Sequence, residues 1–155
     1  MTSEHDQAPA TVRPGGDGGP GVPGLRPHHV GVSVADIDAS IAWYGENLGF
    51  AVVEVGPVPD GEGRLAMLQN GDFRVELFEV PGAEPLPPGR GDPGEDLRTQ
   101  GIKHLAYGVD DLAGLLAAMR SRGVEVVWEV EHAGHYVAFV KDNTGNLVEL
   151  MQPIE

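Results

Sequence analysis

The chain contains no cysteine among its 155 residues. Disulfide bridges, thiolate metal sites and a cysteine nucleophile are therefore all excluded. A chain without thiols also suits a reducing compartment, and we predict a cytoplasmic location. Any metal site in this protein must be built from histidine and carboxylate side chains.

Basic residues are also scarce. The chain has 10 Lys and Arg against 24 Asp and Glu, which gives a formal net charge of −14. No cluster of Lys and Arg offers the positive surface that phosphate binding requires. We therefore predict no nucleic acid partner and no membrane partner, and we expect a small-molecule substrate instead.

Long apolar runs are absent as well. No stretch approaches the roughly 18 consecutive apolar residues of a membrane-spanning helix. The N-terminus does not show a charged start followed by an apolar stretch, so no signal peptide is predicted. Hydrophobic residues still make up 41% of the chain, which is enough for the core of one compact domain or of two small modules.

Glycine and proline, by contrast, are abundant and concentrate in two stretches. Residues 1–24 contain almost no large apolar side chain, and we predict a disordered N-terminal arm. Residues 81–100 are predicted to form a Pro/Gly-rich linker. The two remaining segments, 25–80 and 101–155, carry the periodic apolar patterns of strands and helices.

Both patterned segments show the same order of predicted elements: a strand, a helix and three strands. The helices are predicted within residues 35–50, ending at Gly49, and within residues 110–123. Equivalent residues of the two segments lie at a nearly constant separation, which shortens by a single residue twice. We therefore predict an α+β fold in which residues 25–80 and 101–155 form two paired βαβββ modules.

Each module carries one histidine in its first strand and one glutamate in its last. His29 aligns with His104, and Glu76 aligns with Glu149 within a shared Val-Glu-Leu triplet. A carboxylate among the apolar residues of a strand is costly unless an opposite charge lies nearby. Two imidazoles and two carboxylates suit one divalent ion, namely Zn, Ni, Co, Fe(II) or Mn. If both sheets curve around one cleft, the four side chains can converge there.

Two neighbouring residues compete for these roles. His28 directly precedes His29, but consecutive residues of a strand face opposite sides. Glu79 lies close to Glu76, but it aligns with Gln152 rather than with Glu149. We therefore leave His28 and Glu79 out of the predicted ligand set.

Other polar residues are candidates for catalysis or substrate binding. His135, in the stretch EHAGHY, is a candidate acid or base because histidine titrates near neutrality; the alternative is a hairpin that merely faces water. Arg74 shares the face of Glu76 by strand parity and can meet an anionic substrate, with Arg64 and Arg98 as alternatives. Three aromatic residues are candidate substrate contacts or packing residues: Trp128, Tyr136 and Phe139.

Four stretches resemble the vicinal oxygen chelate superfamily, which includes glyoxalase I, methylmalonyl-CoA epimerase, bleomycin-resistance proteins and extradiol dioxygenases. They are HHVGVSVADIDASIAWYGENLGF, RVELFEV, IKHLAYGVDDL and DNTGNLVEL. The resemblance implies that the curved mixed sheets of the two modules enclose one metal-binding cleft. It implies one divalent ion, held by His29, Glu76, His104 and Glu149. It also implies a homodimer, with each cleft either inside one chain or across the dimer.

The resemblance further implies an isomerase or lyase of the glyoxalase type. Such an enzyme transfers a proton next to a metal-bound carbonyl of a small chelating substrate, through an enolate or enediolate, and Glu149 or Glu76 would take that proton. One alternative is a non-haem Fe(II) dioxygenase acting on a catechol-like substrate, although Glu76 departs from the two-His, one-Glu set of those enzymes. Another is a non-catalytic drug-binding resistance protein, although such members usually lack the four ligands.

Overall fold

A computed structural model describes residues 26–154 of the chain, so the predicted N-terminal arm, residues 1–24, lies outside the described residues. The first module consists of β1 (Val30–Ser33), α1 (Ile37–Leu48), β2 (Ala51–Pro57), β3 (Arg64–Asn70) and β4 (Phe73–Glu79). The linker contains a 3-10 turn (Pro88–Gly91) and the short helix α2 (Pro93–Asp96). The second module consists of β5 (Leu105–Gly108), α3 (Leu112–Ser121), β6 (Val126–His132), β7 (His135–Lys141) and β8 (Leu147–Pro153).

Each module forms one four-stranded mixed sheet. The strand orders are β1-β4-β3-β2 and β5-β8-β7-β6. The first and last strands of each module pair in parallel, and the other pairings are antiparallel. Both sheets also have a register irregularity at the same place, in β2 and in β6. The α+β class and the paired βαβββ modules are thus confirmed.

The two long helices lie within their predicted ranges, residues 35–50 and 110–123. Asp36 accepts a hydrogen bond from Ala39 N, and Asp111 accepts one from Gly114 N, each at 2.9 Å. Such caps satisfy backbone donors that a helix leaves free at its N-terminus. Gly49 ends α1 in the left-handed conformation with φ of 68°, which glycine adopts without strain. Within residues 26–154, no helix is long and apolar enough to cross a membrane.

The last strand of each module also supports the helix of that module. The Glu79 carboxylate accepts from Ile37 N at 2.6 Å, and the Gln152 side chain accepts from Leu112 N at 2.8 Å. Glu79 and Gln152 thus have the same capping role in the two modules. This shared capping role explains why Glu79 aligns with Gln152 and not with Glu149.

Each helix packs on one face of its own sheet. Val75 and Leu77 of β4 face α1, and Val148 and Leu150 of β8 face α3; all four are fully buried. Burying such side chains stabilises the fold by about 1.5–3 kcal/mol each. Because successive strand residues alternate, the intervening glutamates point to the opposite side of each sheet. We call that side the helix-free face.

Hydrogen bonds join α1 and the residues just before it to the turn at residues 142–146 of the second module. Three of them define what we call the inter-module clasp: Tyr44 Oη to Asp142 Oδ2 (3.2 Å), Ser40 Oγ to Asn143 Oδ1 (3.1 Å) and Ala35 N to Thr144 Oγ1 (3.1 Å). Tyr44, Ser40 and Asp142 are buried. Burial, helped by the nearby Asp142 carboxylate, holds the pKa of Tyr44 far above its usual range. The clasp therefore fixes the two modules in one relative orientation.

A buried carboxylate organises the linker. Asp96 is 1% exposed, and its Oδ1 lies 2.9 Å from Arg90 Nε and 3.3 Å from Lys103 Nζ. A charge removed from water needs such partners. Because Lys103 directly precedes His104, these ion pairs tie the end of the linker to the start of the second module.

Candidate metal centre

The four predicted ligands form two His–Glu pairs. In the first pair, His29 Nε2 lies 3.2 Å from Glu76 Oε2. In the second pair, His104 Nε2 lies 3.1 Å from Glu149 Oε2. All four side chains are partly exposed. The predicted equivalence of the two modules therefore extends to the geometry of their polar groups.

The strands position both pairs in the same way. Glu76 is in register with Gly31 of β1, and Glu149 is in register with Ala106 of β5. Each carboxylate contacts the histidine that directly precedes the first strand of its module. A Cβ at Gly31 would lie 3.2 Å from the Phe78 ring, so the small residue there leaves room for Phe78.

The two pairs do not combine within one chain. Among residues 26–154, no group of three or more His, Cys, Asp or Glu side chains is arranged to hold a metal ion. Each pair offers one nitrogen and one oxygen donor, which suits a borderline divalent ion but supplies only half of the predicted ligand set.

Arg74 is linked to the first pair through His28. Arg74 Nη1 lies 3.0 Å from His28 Nε2, and His28 Nδ1 lies 2.7 Å from His29 Nδ1. Gln69 Oε1 accepts from Arg74 Nε at 2.9 Å. Arg74 therefore lies beside the first pair, as strand parity indicates, whereas the roles of His28 and Gln69 went unrecognised in the sequence. The two consecutive histidines could have indicated a role for His28 beside His29. Nothing in the sequence indicated the contact of Gln69 with Arg74.

The other two arginine candidates have different surroundings. Arg64 donates to both carboxylate oxygens of Asp38, at 2.7 and 2.8 Å. These hydrogen bonds lower the pKa of the Asp38 carboxyl. Arg98 lies near Glu95, and its side chain is 80% exposed. Neither arginine contacts the two pairs, so Arg74 remains the candidate for an anionic group.

Two aromatic side chains border the second pair. The Phe139 ring meets the His104 ring edge to face, with centroids 5.0 Å apart. Trp128 stacks on the other side of Phe139 at 5.8 Å and is half-exposed. Phe139 is also in register with Glu149. Of the predicted substrate contacts, Phe139 therefore lies beside the predicted ligand His104, and Trp128 lies next to Phe139.

His135 and Tyr136 lie farther from the second pair. Tyr136 is in register with Gln152, which places it on the face opposite that of Glu149. His135 shares the face of Glu149 but lies four residues along β7 from Phe139, which is about 14 Å at the rise of an antiparallel strand. The structure does not bring either residue to the second pair within one chain.

A cleft of about 670 Å³ lies between the modules and the linker. Its walls include β1, residues 79–87 of the linker region and residues 103–105, so His104 opens onto it. This volume suits a small organic ligand. The sequence analysis did not predict that the linker forms a wall of a cleft. The apolar residues among the prolines of VPGAEPLPP could have indicated it, because they can pack against the modules.

The sheet topology and the equivalent His–Glu pairs define a protein of paired βαβββ modules with a polar pair on each helix-free face. A family comparison agrees: the Glyoxalase/Bleomycin resistance protein/Dioxygenase superfamily matches residues 26–150. The chain belongs to this superfamily.

Known relatives cover about four-fifths of the chain. A probable lactoylglutathione lyase of Vibrio parahaemolyticus is 33% identical over 128 residues, covering 80% of this chain and 88% of that protein. An ethylmalonyl-CoA/methylmalonyl-CoA epimerase of Cereibacter sphaeroides is 29% identical over 137 residues, covering 82% and 97%. The solved structure of the trypanothione-dependent glyoxalase I of Leishmania major is similar, with a TM-score of 0.67 and 30% identity over 83% of this chain and 86% of that one.

Proposed function

We propose that this protein is a divalent-metal-dependent enzyme of the glyoxalase type, which moves a proton next to a carbonyl of a small chelating substrate. The observation that carries the proposal is a His–Glu pair at the equivalent position of each module. Relatives named as a lyase and as an epimerase support chemistry of this kind. The candidate ions are Zn, Ni, Co, Fe(II) and Mn.

The complete centre forms, in this proposal, between two copies of the chain. The two pairs lie on separate sheets, and the inter-module clasp holds those sheets in place. A two-fold axis can set the first pair of one copy beside the second pair of the other, and symmetry then repeats the centre. His29 and Glu76 of one chain would share an ion with His104 and Glu149 of the other.

The residues around such a centre have distinct roles. A bound divalent ion polarises a substrate carbonyl. Glu76 and Glu149 are the carboxylates within reach, and either can accept a proton from the adjacent carbon and return it. Phe139 and Trp128 provide an apolar wall beside His104. Arg74 offers N–H donors to an anionic group of the substrate.

Metal content tests the ligand assignment. The wild-type protein, reloaded with each candidate ion in turn, should bind near-stoichiometric metal by elemental analysis, and Glu76→Ala and Glu149→Ala should lose most of it. The matched control is Glu79→Ala, which changes a neighbouring glutamate that caps α1 and should leave metal content intact. A wild-type protein that takes up none of these ions would contradict the proposal.

Mixing two inactive variants tests the shared centre. One variant carries His29→Ala and Glu76→Ala, and the other carries His104→Ala and Glu149→Ala. If each centre uses one module from each chain, an equal mixture after subunit exchange should recover about a quarter of the wild-type metal content, since half of the dimers then hold one intact centre. Recovery of none, with subunit exchange demonstrated, would place each centre within one chain.

Turnover distinguishes the proposed chemistry from its alternatives. Loss of substrate with Ni, Co or Zn under anaerobic conditions is expected for proton transfer. Oxygen consumption that depends on Fe(II) would point to a dioxygenase. Tight binding of a drug without metal and without turnover would point to a resistance protein.

A further inference from the structure

The contacts from Arg74 to the first pair allow only one direction of hydrogen-bond donation. A guanidinium stays charged and can only donate. His28 Nε2, 3.0 Å from Arg74 Nη1, must therefore accept. A neutral histidine has one N–H, so the proton of His28 lies on Nδ1.

This assignment determines the next link. His28 Nδ1–H faces His29 Nδ1 at 2.7 Å, so His29 accepts at that atom. The proton of His29 then lies on Nε2, 3.2 Å from Glu76 Oε2. A carboxylate oxygen accepts readily, so every contact from Arg74 to Glu76 joins a donor to an acceptor.

Arg74 is held in place for this arrangement. Gln69 Oε1 accepts from Arg74 Nε at 2.9 Å, and Gln69 Nε2 donates to Gly71 O at 2.8 Å. The second module has no counterpart, because Leu147 and Lys103 occupy the positions equivalent to Arg74 and His28. Lys103 turns toward Asp96 instead. The arrangement is therefore specific to the first pair.

Metal ligation by His29 requires the reverse arrangement. A metal at Nε2 needs the lone pair of that atom, so the proton must lie on Nδ1 and be donated outward. His28 would then accept at Nδ1 and carry its own proton on Nε2, facing an N–H of Arg74. Two donors facing each other form no hydrogen bond. Ligation at His29 Nε2 therefore cannot coexist with both the His28–His29 contact and the Arg74–His28 contact.

We propose that Arg74 is a positioning residue that opposes metal ligation by His29 through His28, and that ligation releases Arg74 onto the helix-free face. The inference rests on the proposed function in one respect, namely that His29 binds a metal. By linkage, whatever draws Arg74 away from His28 strengthens metal binding to the same extent. An anionic group of the substrate is the natural candidate for that role.

The ring-nitrogen chemical shifts of ¹⁵N-histidine-labelled protein report the tautomer of His28 directly. In the metal-free protein, we expect the His28 proton on Nδ1. After addition of Zn²⁺, the proton should lie on Nε2. Observation of the Nε2–H tautomer in the metal-free protein would overturn the inference, because Arg74 would then face a donor from the outset.

A double-mutant cycle measures the coupling energetically. Zinc dissociation constants, from competition with a chelator, are compared for the wild type, Arg74→Met, His28→Ala and the double variant. Removing Arg74 should tighten zinc binding more when His28 is present, with a ratio of about three- to tenfold between the two backgrounds. The loss of a nearby positive charge acts in both backgrounds and cancels in that ratio. Arg74→Lys, which keeps a charged donor, should restore wild-type behaviour.

The outcomes separate this inference from the proposed function. Zinc binding that depends on His29, with the expected coupling, supports both. Zinc binding that depends on His29, with equal effects of Arg74→Met in the two backgrounds, contradicts this inference alone. If zinc does not bind, or if binding survives His29→Ala, the proposed function fails and this inference fails with it. Should His28→Ala unfold, His28→Asn replaces it in the cycle.

Discussion

The conformation of the turn between β2 and β3 of the first module depends on a single residue, Gly63. It lies between β2 and β3 with φ of 126°, a conformation that side-chain-bearing residues rarely adopt. A Cβ at this position would collide with the carbonyl oxygen of Glu79. The side chain of that same glutamate caps α1, so the turn and the helix start are packed against one residue.

We expect Gly63→Ala to lower the free energy of unfolding by about 2 kcal/mol or more, because strain and collision add. Gly71→Ala is the matched control. Gly71 also has a positive φ, 56°, but a Cβ there meets nothing within 4 Å. Gly71→Ala should lower the free energy of unfolding by about 1 kcal/mol. Urea denaturation of both variants makes the comparison, and equal losses would show that the collision relaxes without cost.

Single residues also show what a sequence can reveal about a candidate site. The alignment of His29 with His104 and of Glu76 with Glu149 predicted which side chains are equivalent, and the structure places each histidine beside its glutamate. That prediction worked because strand parity fixes which side chains share a face. The contact of Arg74 with His28 could not be predicted, since it depends on how a long side chain lies across two strands.

At the scale of elements, the last strand of each module supports its helix through one side chain. Replacing Glu79 by Ala leaves Ile37 N without its partner and should cost about 1 kcal/mol, the usual value for a lost cap. Glu79→Gln keeps an acceptor oxygen, as Gln152 does in the second module, and should cost less. Thermal or urea unfolding of the two variants tests this. An equal loss of stability would show that the negative charge of Glu79, and not its hydrogen bond from Ile37 N, stabilises the helix start.

The two long helices were predicted within a few residues, and the strands in their correct order, because their apolar periods are regular. The short helix α2 was missed, although DPGED carries the signals of a helix start: a capping Asp92, then Pro93, then acidic residues. Asp92 does accept from Gly94 N and Glu95 N, each at 2.9 Å. A helix of four residues is not stable by itself. Its existence depends on the ion pairs of Asp96, which the sequence pattern does not reveal.

At the scale of the whole molecule, the inter-module clasp makes stability sensitive to high pH. The pKa of Tyr44 is raised in the folded protein, whereas an unfolded tyrosine titrates near pH 10. The stabilising contribution of neutral Tyr44 is therefore complete below about pH 10 and is lost progressively as the pH rises above it. Burial raises the pKa of Tyr107 as well. Both tyrosines therefore lower the stability of the folded protein as the pH rises above about 10.

We expect the free energy of unfolding of the wild type to decline above about pH 10. Tyr44→Phe should make that decline shallower, and at neutral pH it should cost about 1 kcal/mol because Asp142 loses a hydrogen bond. Denaturant titrations between pH 8 and about pH 11 provide the measurement. A decline of unchanged steepness in both Tyr44→Phe and Tyr107→Phe would contradict this account.

The relation between the two pairs could not have been predicted from the repeat. Equivalent positions in two modules fix the face on which each side chain lies, but they do not fix how one module is oriented against the other. That orientation depends on contacts such as Tyr44 with Asp142, which occur once in the chain and have no counterpart in the repeat. The repeat therefore predicts four candidate ligands but not whether they meet within one chain or across a dimer; within residues 26–154 they form two His–Glu pairs.

The clasp also has a consequence for folding kinetics. The hairpins of each sheet join neighbouring segments, but Tyr44 and Asp142 are 98 residues apart along the chain, so their contact carries a large loop-closure cost. Contacts of this kind tend to form after the folding barrier. Weakening the clasp should then speed unfolding while leaving the refolding rate nearly unchanged. The lifetime of the folded chain, more than the speed of reaching it, would depend on one buried tyrosine.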